Sequence, residues 1–216
     1  GKTSPVIAEH ALALMLAAAR RIPAHTSAIR AGAWPNVYGT YLSGKTLGII
    51  GTGNSGAHLT RLARGIGMDV VAWTFNPSDK RATELGVRFV EFDELLQTAD
   101  VVSLHVRLTD DTRYLVGKRQ LAMMKPDSYL INVARGAIVD TEALVEALNS
   151  GHLAGAGLDV FESTPLPPNH PLLACQNAVL TPHLADNTPE GVNFLADGVL
   201  ENVEAYLAGH PRNVVT

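Results

Sequence analysis

The chain has 216 residues, 46% of them hydrophobic and 18% charged, a balance that belongs to globular proteins and excludes intrinsic disorder. Its net charge is −4 and no basic block appears, which argues against nucleic acid and anionic membrane as partners. One cysteine, Cys175, rules out an internal disulfide and fits a reducing cytoplasm, and eight histidines without H-x-x-x-H spacing give no support for a metal site.

The longest apolar run, residues 11–19, is too short to cross a bilayer, and Glu9 and His10 ahead of it are wrong for a signal peptide. Ser4-Pro5 reads as an N-cap and first-turn pair opening a helix over 5–20. This helix is apolar on more than one face, so it needs cover from elsewhere, a second subunit being one source. After a loop at 32–44 come a strand at 47–50 and a helix at 54–66 with Leu59, Leu62, Ala63 and Ile66 on one face. A strand at 68–74, a helix at 79–85, a short strand at 87–90 and a helix at 92–98 follow. The pattern continues with a strand at 100–106, a helical region at 118–124, a strand at 128–134 and a helix at 141–149. A strand at 154–161, a proline-rich loop, a strand at 177–181 and a helix from Thr188-Pro189 to about residue 207 complete the chain. Alternating short apolar strands and helices predict an α/β fold with a doubly wound parallel sheet, whose ligands bind at the carboxyl ends of the strands.

Residues 39–56, "GTYLSGKTLGIIGTGNSG", hold two phosphate-loop signatures. Gly39 to Thr46 spells G-x-x-x-x-G-K-T, but a mononucleotide loop must follow a strand and open a helix, and here the order is inverted. Gly51 to Gly56 spells G-x-G-x-x-G between a strand and a helix, which is the context of a Rossmann-type dinucleotide turn. Gly51 permits the tight turn, Gly53 lets a pyrophosphate approach the backbone, and Gly56 lets helix and strand pack closely. The pyrophosphate then meets free N–H groups at the positive end of the helix.

Four segments place polar groups at strand ends: "INVARG" with Arg135, "GLDVFE" with Asp159 and Glu162, "LTPH" with His183, and "SLHV" with His105. An arginine clamps a carboxylate through two parallel hydrogen bonds, and a histidine beside it exchanges a proton near neutral pH. Beside a dinucleotide turn, this pair suggests hydride transfer to a 2-oxo acid or from a 2-hydroxy acid. Each residue also has a structural reading: an ion pair for Arg135, a satisfied loop histidine for His183, and a hydrogen bond to loop backbone for Asp159. His105 reads as structural or near the cofactor rather than catalytic, and Met123 and Met124 as core filling.

The segments "AEHALALMLAAARRIP", "GKTLGIIGTGNSG", "ADVVSLHVRLTDDTR", "AMMKPDSYLINVARGAIVD", "GAGLDVFE", "PLPPNHPLL" and "LTPHL" run in one order over nearly the whole length. In that order the chain resembles the cofactor-binding domain of the D-isomer-specific 2-hydroxyacid dehydrogenases. The resemblance implies a single dinucleotide-binding domain over 1–216, NAD or NADP as cofactor with NAD ahead, and a homodimer formed around the helix at 5–20. It matches Arg135 to the arginine that binds the substrate carboxylate and carbonyl, and His183 to the histidine that protonates the carbonyl oxygen. It matches Asn54 and Ser55 to turn residues whose N–H groups meet the pyrophosphate, and Val106, Val133, Ala134 and Asp159 to positions lining the cofactor.

Three departures qualify these expectations. The family glutamate falls five residues after Asp159, where this chain has Thr164. A carboxylate beside a histidine favours the imidazolium, so its loss weakens reduction unless Glu162 or Asp186 substitutes. The acidic residue expected at the end of the second strand, which binds the adenosine ribose and repels a 2′-phosphate, is Thr74. NADP therefore stays open, with Asn76, Lys80 and Arg81 as phosphate contacts. Finally, the family's separate substrate domain is not represented, which marks the chain as a fragment and leaves a non-catalytic dinucleotide-binding or redox-sensing module as the alternative function.

Overall fold

The computed structural model describes residues 1–214. Seven strands form one sheet: β1 (Thr46–Ile50), β2 (Asp69–Trp73), β3 (Arg88–Phe89), β4 (Val101–Leu104), β5 (Ser128–Asn132), β6 (Leu153–Leu158) and β7 (Ala178–Leu180). Their order is β3-β2-β1-β4-β5-β6-β7 and all six pairings are parallel. The predicted doubly wound sheet is thus the one observed. Strand order reverses between β1 and β4, and that switch point opens a crevice at the carboxyl ends.

Among the described residues eight α-helices surround the sheet: α1 (Ser4–Ala19), α2 (Ile22–Arg30), α3 (Asn54–Gly65), α4 (Asp79–Leu85), α5 (Phe92–Thr98), α6 (Lys118–Met123), α7 (Thr141–Asn149) and α8 (Pro189–Leu207). Alternate strand residues feed two cores, as the pleat requires. Leu47, Ile49, Val101 and Ile131 face α1 and α3, while Ile50, Val102, Leu104 and Leu130 face α5, α6 and α7. Most strand positions are buried on both sides, which is why the strands read as continuous apolar runs.

Three details differ from the sequence expectation. Ser4 is the first helical residue and not the cap; its hydroxyl donates to the Gly1 carbonyl at 2.7 Å, and Thr3 precedes it without a side-chain cap. The cover that α1 needs comes from its own domain, because Ala8, Ala11, Leu14, Met15 and Ala18 are buried against α3, β5 and β6. The apolar side chains left exposed lie just beyond it, at Ile22 and Ile29 of α2 and at Trp34, Tyr38 and Tyr41. On α3, Leu62 is exposed, and the buried face instead carries Gly56, Leu59, Thr60 and Ala63, with the Thr60 hydroxyl donating to the Gly56 carbonyl.

The terminal helix α8 is capped as its sequence predicts, the Thr188 hydroxyl accepting the Gly191 N–H. It buries only Gly191 and leaves Val192, Leu195, Val199, Leu200 and Val203 exposed. An ion pair between Lys2 and Glu201 ties it to the start of the chain.

Candidate dinucleotide and substrate site

The crevice is a cleft of about 530 Å3 between the ends of β1, β2 and β4, floored by Gly51, Gly53, Thr74, His105 and Val106. A smaller cavity of about 250 Å3 lies between α6 and α7 beside His152, at the amino ends of β5 and β6 and away from these groups. Lys45 likewise sits in the turn entering β1, its N–H bonded to the Leu42 carbonyl, at the edge of the sheet opposite Gly51. The mononucleotide-loop spacing therefore has no phosphate-binding geometry.

The three glycines of the turn are demanded for three different reasons. Gly51 has φ +96°, and a Cβ there would lie 2.8 Å from the His105 carbonyl carbon. A Cβ on Gly56 would lie 2.2 Å from the Gly51 carbonyl oxygen, so the first turn of α3 can touch the turn only through glycine. Around Gly53 a Cβ would meet nothing within 4 Å. No protein atom requires glycine at that point; a ligand pressed against the backbone would. No side chain caps α3 either, so the N–H groups of its first turn, including Asn54 and Ser55, are open to an anion. This cradle fits a dinucleotide pyrophosphate.

At the adenosine end, Thr74 and Asn76 line the cleft and Arg81 arches over the glycine turn, its Nε donating to the Thr52 carbonyl at 3.2 Å and its Nη2 sharing that oxygen. Lys80 points into solvent and pairs with Glu84 at 3.9 Å. Thr74 is followed by Phe75, whose ring meets Trp73 edge-on at 4.7 Å.

The other half of the site is built by the loops after β5, β6 and β7. Asn132 is buried at the end of β5 and folds the next turn, its Nδ2 donating to the Arg135 carbonyl and its Oδ1 accepting the Ala134 N–H, both at 3.0 Å. Val133 is buried, Ala134 half-buried, and Arg135 projects outward with its guanidinium on the Ala134 carbonyl at 2.6 Å. Three residues beyond β7, His183 is exposed in the left-handed region at φ 59°.

A non-glycine residue in that conformation persists only where its surroundings hold it. Asp159, wholly buried just after β6, does the holding. Its Oδ1 accepts the Thr181 hydroxyl at 2.6 Å and the Leu184 N–H at 2.9 Å, and its Oδ2 accepts the Ala185 N–H at 2.9 Å. His10 of α1 adds Nε2 contacts of 3.3 Å to this carboxylate and 3.0 Å to Thr181. Burial alone would raise the carboxyl pKa, but the bonds from His10, Thr181, Leu184 and Ala185 outweigh it and bring it below the ordinary value.

The Asp159 side chain therefore braces the His183 loop rather than facing the cleft, the structural role weighed for it from the sequence. The same post-β6 segment abuts the Arg135 turn, since a Cβ on Gly136 would lie 2.0 Å from the Phe161 carbonyl carbon. One strut thus braces both loops. Among the described residues no carboxylate pairs with the His183 ring; Thr164, Glu162 and Asp186 do not fill that place. Sequence reading overlooked Asn132 and His10, whose only signal was a polar residue closing an apolar strand or interrupting an apolar helix.

The profile of the D-isomer specific 2-hydroxyacid dehydrogenase NAD binding domain matches residues 12–185. The chain belongs to this family. It is its NAD-binding domain. A glyoxylate reductase of Korarchaeum cryptofilum is 41% identical over all of this chain and 67% of its own length. The crystal structure of a glyoxylate reductase from Paecilomyes thermophila superposes with a TM-score of 0.92 at 37% identity, over 98% of this chain and 65% of that one. A D-lactate dehydrogenase of Lactobacillus jensenii, solved with NAD+, gives a TM-score of 0.88 at 30% identity over 99% of this chain and 68% of that one. The chain thus spans about two thirds of the length of these relatives.

Proposed function

We propose that this domain serves the reduction of a small 2-oxo acid, and the reverse oxidation of the 2-hydroxy acid, with Arg135 and His183 as the catalytic residues. The observation that carries the reading is the shared brace: the segment 159–162 holds both loops at the same edge of the sheet as the glycine turn. A bound reduced nicotinamide supplies a hydride. Arg135 is freely disposed to hold the substrate carboxylate in a bidentate pair, which orients the neighbouring carbonyl. His183 delivers the proton that the carbonyl oxygen requires as it becomes an alkoxide. Glyoxylate reductases among the relatives make glyoxylate the first substrate to test, with pyruvate and hydroxypyruvate beside it.

The first turn of α3 would hold the dinucleotide pyrophosphate, and Thr74 would face the adenosine. With threonine at that position and Arg81 nearby, NADP competes with NAD; the family's cofactor, NAD, is placed ahead. The exposed apolar side chains at Ile22, Ile29, Trp34, Tyr38 and Tyr41 support a homodimer built beside α1, which sedimentation measures. The buried Cys175 thiol, its pKa raised by burial, suits a reducing, cytoplasmic setting.

Absorbance at the reduced-nicotinamide band, recorded with each acid and each cofactor, tests the activity, with Arg135→Ala and His183→Ala as controls. Turnover insensitive to both substitutions refutes the assignment. Thr164 in the glutamate position favours one competing reading, a module that binds dinucleotide without turnover. Tight NADH binding with no acid-dependent oxidation in the full-length protein would establish it.

A further inference from the structure

His105 lies where the floor of the cleft meets the end of β4, and both of its ring nitrogens are engaged by serines. Nδ1 is 3.2 Å from the Ser55 hydroxyl, on the first turn of α3, and Nε2 is 2.9 Å from the Ser103 hydroxyl, inside β4. Among the described residues neither hydroxyl has another hydrogen-bond partner. Burial lowers the His105 pKa to about 4, so at neutral pH the ring carries a single proton. Which nitrogen holds it decides what Ser55 offers to the cleft.

The two tautomers are not equivalent. Ser103 is fully buried, out of reach of water. With the proton on Nε2, that N–H would donate to the Ser103 oxygen and leave the Ser103 hydroxyl proton with no acceptor, a buried orphan donor. The Ser55 hydroxyl would then donate to Nδ1 and turn its lone pairs outward. With the proton on Nδ1, no buried donor is orphaned: Ser103 donates to Nε2, Nδ1–H donates to the Ser55 oxygen, and the Ser55 proton at the cleft is left free. The second arrangement leaves only a lone pair of Ser103 idle, the cheaper omission.

We propose that His105 is a positioning residue that holds its proton on Nδ1 and thereby aims the Ser55 hydroxyl proton at a pyrophosphate oxygen of the bound dinucleotide. The proposal rests on the dinucleotide lying on the 51–56 turn as described above. It makes Ser103, which cannot touch the ligand, a determinant of affinity, because Ser103 selects the tautomer. An anionic oxygen gains from an O–H donor and is repelled by outward lone pairs, so the tautomer acts as a polarity setting for the turn.

Long-range proton–nitrogen NMR of the 15N-histidine-labelled chain reads the tautomer directly, in the wild type and without any substitution. The expected pattern is Nδ1–H at neutral pH, retained with NADH bound. For NADH dissociation constants, Ser55→Ala is expected to weaken binding about tenfold, the weight of one hydrogen bond to a charged oxygen. Ser103→Ala should weaken it about threefold, with a detectable share of Nε2–H, yet cause no further loss in the Ser55→Ala background. His105→Asn, which keeps an N–H near the Nδ1 position, should retain more affinity than His105→Ala. A dominant Nε2–H tautomer in the wild type, or additive effects of the two serine substitutions, overturns the proposal while leaving the dinucleotide site in place. Absence of NADH binding to the wild type overturns both.

Discussion

Asp159→Asn isolates the brace under the His183 loop with the smallest change of shape. The wholly buried carboxylate accepts three hydrogen bonds from the loop after β7 and one contact from His10. An asparagine can keep its oxygen where Oδ1 accepts from Thr181 and Leu184. Its NH2 then faces the Ala185 N–H, replacing one charge-assisted bond by two opposed donors. Bonds to charged groups contribute about 1.5–3 kcal/mol each, so a loss of about 2–3 kcal/mol is expected. For a domain of this size that corresponds to a fall in Tm of about 4–12 °C.

Calorimetry and urea titration at pH 7 measure the loss. Because the folded pKa is depressed, the stabilisation is fully present above the unfolded value of about 3.9 and disappears as pH falls through the lower folded value. The gap between wild type and variant should therefore close in acid and persist unchanged up to neutrality. A Tm within about 1 °C of wild type at pH 7, or a gap that widens on acidification, refutes the account of Asp159.

Thr164→Glu is expected to raise reductive turnover at pH 7 about threefold or more and to shift the optimum upward, by favouring the protonated histidine; an unaltered pH–rate profile counts against the proposed role of His183. Thr74→Asp should worsen NADPH binding relative to NADH by about tenfold, through repulsion of the 2′-phosphate, and titration calorimetry with both cofactors measures the ratio. Gly53→Ala meets no protein atom, so its Tm should stay within a few degrees of wild type while NADH affinity drops about tenfold or more. Gly56→Ala must displace the Gly51 carbonyl and should lose stability as well as binding. Equal effects of the two alanines on stability would contradict the geometry of the turn.

Much of this architecture was legible because local signals agreed with the global pattern. Ser78, Asp140 and Thr188 cap helices where polar residues precede helical runs, and each accepts an N–H from the first turn. The glycine turn was readable from spacing plus context, because its strand and helix flanks excluded the competing Gly39–Thr46 pattern. Helix α2 was not readable: it buries no residue and starts from Arg21 in the left-handed region, with no side-chain cap to announce it. The face of α3 was misjudged at Leu62 because Thr60 satisfies its own hydroxyl within the helix and takes the buried position. Arg135 and His183 stood out as polar groups at strand ends. Of their supports only Asp159 stood out in the same way, because Asn132 and His10 act through contacts that the linear order hides. The Ser103–His105–Ser55 relay joins a strand to a helix through a ring, and no residue spacing announces it.

The seating of α1 has a consequence for how the molecule is made. Leu14 packs against β6 so closely that a Cβ on Gly157 would come within 2.8 Å of its Cβ. The most apolar helix of the chain leaves the ribosome well before β6, one of the elements that cover it, which emerges only after most of the sheet has been synthesised. During that interval the part of α1 that meets β6 is uncovered, which slows folding through long-range closure and invites chaperone capture. Ribosome-stalled chains ending before residue 150 should therefore hold α1 accessible to protease, and chains extended past β6 should protect it.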